Sequence, residues 1–308
     1  MNAVKLAKRL GTLAFLMLSA FFHVHAAAKF DPLDPLGTVR QGRIAKDNAL
    51  VIEVSPGNWG EAEVRDIQLL LDTVAAEFLA HIGPLDRTIQ LRVVPRGGAP
   101  KVRYEKARDG RYVVQLTARD QRWFQYVFQF SHELCHVLSN FDHKEPIDGS
   151  ERVDERNQWF EESLCETASL FTLRRLAVQW ETSPPSRNWS GYGSTLSAYA
   201  RHLMNEAHRH LPPGQSFHDW YEENKQVLSD NPYLREKNEL VAANLLPLFE
   251  ANPELWQSIR YLNPLKTSAG KSFALYLTDW RVASPDKTLP DQVFELFGLS
   301  QAGALAAH

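Results

Sequence analysis

Cysteine is scarce in this chain: two residues in 308, Cys135 and Cys165. That excludes a disulfide-dense small scaffold and a multi-cysteine metal cluster. Repeats and low-complexity tracts are missing, so the chain is neither a solenoid nor a disordered tail. An excess of basic residues is missing as well. The formal charge is −3, which argues against a nucleic-acid polyanion as partner. Long apolar runs are confined to one place, Leu10–Phe22 near the start. That run covers 13 residues, short of the ~20 that a membrane-spanning helix needs.

The surroundings of the run give it a different meaning. Lys5, Lys8 and Arg9 precede it, and Ala26-Ala27-Ala28 follow as a small-residue cleavage site. This is the layout of a secretory signal peptide over residues 1–28. The expectation is an exported protein, periplasmic or secreted, with no stable membrane span after cleavage. Taking away three of the 34 basic residues leaves 31 against 37 acidic ones, a net charge of −6. In an oxidising compartment Cys135 and Cys165 could pair, and the other outcome is two buried free thiols.

What the chain has in quantity is apolar and aromatic residues, 44% and 11%, enough for a sizeable core. The pattern predicts an α+β protein. Strands are expected at 50–54, 89–93, 102–104 and 112–116, with a turn at Asp109-Gly110. Helical spacing runs from Glu61 to His81, with Val64, Ile67, Leu70, Leu71, Val74 and Phe78 on one side, and Gly83-Pro84 ends it. Asp120 is a plausible N-cap for a helix reaching about Ser139, and Asn140 suits a left-handed C-cap. A second helix is expected from about Asn157 to Trp180. The remainder reads as mostly helical, with joints at prolines 184, 185, 212, 213, 247, 264, 285 and 290. The layout is therefore a small N-terminal α/β lobe over 29–140, ending in the first of these two helices. A helical C-terminal lobe follows over 141–308.

The stretch Phe130-Ser131-His132-Glu133-Leu134-Cys135-His136 carries the chemistry. On a helix, His132 and His136 stand one turn apart on one face and can reach a common point. Zinc accepts nitrogen ligands at about 2.0–2.1 Å, and this spacing delivers two without backbone strain. Glu133 lies about 100° round the helix. There it sits beside the ion and can take a proton from an activated water. The flanking helix is apolar nearly all round, with Trp123, Phe124, Tyr126, Val127, Phe128, Phe130, Leu134 and Val137, so it should be buried. Buried histidines and a buried glutamate require partners, and a metal is an economical one.

A catalytic zinc takes a third protein ligand and keeps one position open. Two candidates exist. Asp142 follows the pair at the spacing of a metzincin-like site, although Ser139 stands where such a site needs glycine for a sharp turn; His143 is a weaker option. The other candidate is in Trp159-Phe160-Glu161-Glu162-Ser163-Leu164-Cys165-Glu166. With His-Glu-x-x-His upstream, this stretch resembles the gluzincins, the thermolysin-like and aminopeptidase-like zinc peptidases. In the aminopeptidase branch the local wording is Trp-Leu-Asn-Glu-Gly, and Trp159, the apolar Phe160 and Glu162 match it. In the thermolysin-like branch an acidic residue four positions after the ligand holds the first histidine, and Glu166 stands there.

The resemblance implies a zincin-like fold, with Zn²⁺ held by His132, His136 and Glu162. Glu166 would orient His132 and Glu133 would act as general base. The activity implied is hydrolysis of a peptide or protein substrate. It also implies an oxyanion-stabilising Tyr or His from the later lobe. Tyr192, between glycines, is the first choice, followed by Tyr199, His202, His208, His210, His218 and Tyr221. The Gly-x-Met-Glu-Asn stretch of the aminopeptidase branch has no counterpart upstream. The strand at 112–116 is expected at a sheet edge, open to an extended peptide. Two other readings keep the same residues: a metal-dependent amidase acting on a cell-wall peptide, and a zinc-bearing interaction module without turnover.

Overall fold

The computed structural model describes residues 49–144 and 155–299. The expected signal peptide, the polar lead-in before Ala49 and the last nine residues lie outside them. The chain is α+β, with a four-stranded mixed sheet at its start and helices thereafter.

The sheet holds β1 (Leu50–Val54), β2 (Ile89–Pro95), β3 (Lys101–Val102) and β4 (Tyr112–Leu116) in the order β1-β2-β4-β3. β1 runs parallel to β2, and β2 parallel to β4, with Leu50 opposite Ile89 and Leu91 opposite Tyr112. The short β3 is antiparallel to β4, with Val102 opposite Val114. Alternation explains β2: Ile89, Leu91 and Val93 are buried while Gln90 is exposed. A parallel neighbour needs a crossover, and α1 (Val64–Ile82) supplies it between β1 and β2. Its Ile67, Leu70, Leu71, Val74, Phe78 and Ile82 are all fully buried, each contributing about 1.5–3 kcal/mol of burial free energy. Gly83 ends the helix at φ 80°, its N–H reaching back to the Leu79 carbonyl.

One expectation fails here. β4 is not the edge; β3 covers it at Val114 and Gln115. The strand expected at 102–104 is present as β3 and, folded back on β4, takes the edge position itself.

α2 (Trp123–Leu138) follows β4 and packs lengthwise on α3 (Gln158–Thr182). Asp120 does not cap α2. It adopts a left-handed φ of 55°, and its carboxylate accepts the Glu61 N–H, tying the two loops together. Asn140 is left-handed as expected and ends the helix, its side-chain amide donating to the Arg260 and Leu262 carbonyls. The remaining α-helices are α4 (Gly193–Met204), α5 (Phe217–Asp230), α6 (Arg235–Ala251), α7 (Phe273–Ala283) and α8 (Thr288–Leu296). Two of the expected proline joints lie inside helices. Pro290 is in the first turn of α8, where its missing N–H has no intrahelical partner to lose. Pro247 is inside α6. Its cost, about 3 kcal/mol, is offset by fully buried Leu245, Leu246 and Phe249. Among the described residues no helix is long and apolar enough to cross a membrane.

Candidate metal centre

α2 and α3 meet with their polar residues facing inward at one level. His132 Nε2 lies 3.1 Å from Glu162 Oε2, and His136 Nε2 lies 3.5 Å from the same oxygen. The two imidazoles are 4.9 Å apart at their centres and steeply inclined. All three candidate ligand atoms fall within 4.8 Å of one another. Ligands at 2.0–2.1 Å from a tetrahedral ion are separated by roughly 3.3 Å. The two observed separations bracket that value, so the trio has the spacing to hold a metal ion. Between the two imidazoles, Glu162 keeps its carboxyl well below the ordinary range although burial would raise it.

Glu133 is next to this trio and outside it, 4% exposed. Its carboxylate lies against the backbone N–H of Val102 on β3. Burial pushes its pKa up, opposed by His132 and His136. A carboxyl pushed upward is a better proton acceptor near neutrality.

Glu161 directly precedes Glu162 on α3. The structure buries it at 1% exposure, with Oε1 2.6 Å from His136 Nδ1. It also accepts from Ser139 Oγ at 3.0 Å, from Asn263 Nδ2 at 2.8 Å and from the Lys144 ammonium. Burial alone would raise its pKa; Lys144, with His136, outweighs that and holds it at about 2. Glu166 has the partner expected of it only in part. It faces His132 Nδ1 at 4.0 Å, beyond hydrogen-bond length, and accepts from the buried Arg209 Nη2 at 2.7 Å.

The rival third ligands are engaged elsewhere. Asp142 accepts from Tyr112 Oη at 2.7 Å, Arg87 at 2.9 Å and Lys106 at 3.0 Å. His143 Nδ1 donates to the Asn263 carbonyl at 2.7 Å. Cys135 and Cys165 are buried free thiols, not joined as a disulfide. Burial pushes both thiols up. The neighbouring grouping of His136, Glu161 and Cys165 already holds a cation, the Lys144 ammonium on Glu161 Oε1. A third grouping, Glu206, His208 and Glu239, is filled by Arg209, which contacts both carboxylates at 3.3 Å.

The trio opens onto a cavity of about 600 Å³. One wall is Ala99–Val102, the segment running into the edge strand β3; Phe128, Gln129 and Tyr199 form another, and Tyr104 and Tyr233 are also in its lining. Tyr192 is not among the lining residues. Its hydroxyl accepts from the backbone N–H groups of Trp123 and Phe124, at the start of α2. His132 lies nine residues further on, about 14 Å along the axis. Tyr192 therefore caps a helix instead of facing the site. Of the other residues expected to stabilise an oxyanion, Tyr199 alone lines the cavity. Tyr221 packs on Trp159 and Phe297, His218 bonds the Phe297 carbonyl, and His208 bonds Glu239. Tyr233, just ahead of α6, was missed; its hydroxyl donates to Glu155 at 2.8 Å.

No known family model matches the chain, and no curated protein matches it significantly.

Proposed function

We propose that this protein is an exported zinc peptidase with a zincin-like fold. Zinc would be held by His132, His136 and Glu162, with Glu133 as general base. The observation that carries this reading is the convergence of two imidazole Nε2 atoms and one carboxylate oxygen at zinc-ligand spacing, beside a buried, unliganded glutamate. Charge supports it. Glu133, Glu161, Glu162, Glu166 and Glu239 crowd the site, and the cations paired with them are Lys144, Arg209 and Arg235. With neutral histidines two negative charges remain, the complement of a divalent ion. Uncompensated charge in an interior is costly. Export rests on the signal-peptide pattern of residues 1–28.

When bound, zinc supplies Lewis-acid polarisation of a carbonyl and makes a water more acidic. The protein's own groups do the rest. The Val102 N–H orients the Glu133 carboxylate, which takes a proton from the attacking water and passes it to the leaving amine. β3 lies along the cavity wall, where its free edge can pair with an extended peptide. Tyr104, Tyr199 and Tyr233 are the phenols in the cavity lining that can serve the developing oxyanion. The deciding experiment is metal analysis of purified protein together with hydrolysis of a mixed peptide library. One zinc per chain and cleavage abolished by a chelator are expected. A metal-free protein that stays metal-free on adding zinc would overturn the proposal.

A further inference from the structure

His136 is aimed by a buried ion pair whose second member comes from outside both helices. Glu161 Oε1 holds His136 Nδ1 at 2.6 Å. That leaves Nε2 facing Glu162. The same oxygen accepts from the Lys144 ammonium, which belongs to the short 3₁₀ turn after α2. Lys144 is 7% exposed and Glu161 1%. The other carboxylate oxygen is fixed by Asn263 Nδ2 at 2.8 Å, and Asn263 is in turn held by Tyr276 Oη at 2.9 Å.

Nothing in the ligand chemistry requires a lysine at this place. A ligating imidazole needs an acceptor on its far nitrogen, and a neutral acceptor serves. A carboxylate there adds a full charge beside Glu162, in a site that already carries Glu133 and Glu166. Buried, that charge is tolerable only if paired. We infer that Lys144 is a positioning residue for the metal: its ammonium is the counter-charge that keeps Glu161 seated against His136 Nδ1, so that Nε2 is presented to the ion. The inference rests on the zinc reading above. Lys144 acts through Glu161 and touches no ligand itself.

A double-mutant cycle separates this role from plain packing. The probe is zinc, its affinity measured by competition with a chromophoric chelator, with far-UV circular dichroism as the check on folding. Lys144→Met is expected to weaken zinc binding roughly 10–100-fold, the usual effect of losing an outer-shell partner. Glu161→Gln alone strands the ammonium and is also expected to weaken binding. The double variant, Lys144→Met with Glu161→Gln, removes both charges but keeps an amide oxygen for Nδ1–H. It is expected to bind zinc more tightly than either single variant. A double variant as weak as the weaker single, or a Lys144→Met variant at wild-type affinity, overturns the inference and leaves the zinc site standing. A second readout needs no metal. In the metal-free protein the His136 Nδ1–H proton resonance is expected far downfield, and Lys144→Met should shift it. If wild type takes up no zinc, the peptidase proposal falls and this resonance decides the pairing alone: an unchanged resonance in Lys144→Met refutes it.

Discussion

Replacing Glu133 by glutamine removes a charge without removing a shape, and the two consequences run in opposite directions. Glu133 is 4% exposed and separate from the three converging ligand atoms. Glutamine preserves the side-chain volume, and its amide oxygen can still accept from Val102 N–H. Zinc content should stay at the wild-type level. Turnover should not survive, because an amide cannot take the proton from the attacking water. General base catalysis is worth about 10²–10⁴-fold, so kcat should fall by at least about 100-fold, or about 2.7 kcal/mol in barrier. Stability should move the other way. Burial raises the Glu133 pKa in the metal-free fold. A carboxyl with a raised folded pKa binds its proton more tightly when folded, so at neutral pH its ionisation opposes folding. Metal-free Glu133→Gln should therefore melt above metal-free wild type at pH 7, and the gap should close as pH falls below the unfolded pKa near 4.3. The assay is zinc by mass spectrometry, turnover of a quenched peptide, and paired melting curves. A variant that keeps its zinc and also its turnover refutes Glu133 as the base.

Three further outcomes follow from the geometry. Glu162→Ala should reduce bound zinc to near zero, whereas Asp142→Ala should leave it at one per chain; metal loss from the aspartate variant alone would reverse the ligand assignment. Asp142 is instead a structural carboxylate. Burial would raise its pKa, but Tyr112, Lys106 and Arg87 outweigh that and hold it at about 2, below an unfolded value of about 3.9. A depressed carboxyl contributes stability above its unfolded pKa and loses it as pH falls through the folded one. Asp142→Asn should cost about 1–2 kcal/mol at pH 7, discounted for partial exposure, and almost nothing at pH 2, as read from denaturant midpoints. Tyr192→Phe should leave turnover within about twofold of wild type while lowering the melting temperature slightly, since the hydroxyl caps α2 for about 1 kcal/mol; a large loss of turnover would return Tyr192 to the site.

Residues that act through periodicity were legible in the sequence. His132 and His136 converge because they are four apart on a helix, and Glu162 meets them because the two apolar helices must pack on each other. The short strands and α1 announced themselves through alternation and helical spacing. Two of the failures, at Asp120 and Tyr192, have a common physical origin: they concern polar groups whose partners are far away along the chain. Asp120 looked like an N-cap because its neighbour in sequence is a helix, yet its carboxylate answers Glu61, 59 residues earlier. Tyr192 looked catalytic because it sits between glycines, but the buried end of α2 had unpaired N–H groups that its hydroxyl satisfies.

Glu161 shows where the sequence signal stops. It is adjacent to Glu162, and on a helix it is rotated by about 100° from it. Two consecutive carboxylates on one helix therefore cannot share a face, and one of them ordinarily goes to water. Here neither does, because α3 is covered on several sides: by α2, by the 3₁₀ turn carrying Lys144, and by the segment carrying Asn263. The only local hint was the composition of α3 itself. Its Trp159, Phe160, Leu164, Leu170 and Phe171 leave little of the circumference for a polar stripe. A helix buried nearly all round cannot keep a solvated acidic face. Each of its carboxylates must then be matched by a cation or by a proton. Lys144 matches Glu161 and Arg209 matches Glu166. Glu162 has two imidazoles and no fixed cation, and that imbalance is why we propose a divalent ion beside it.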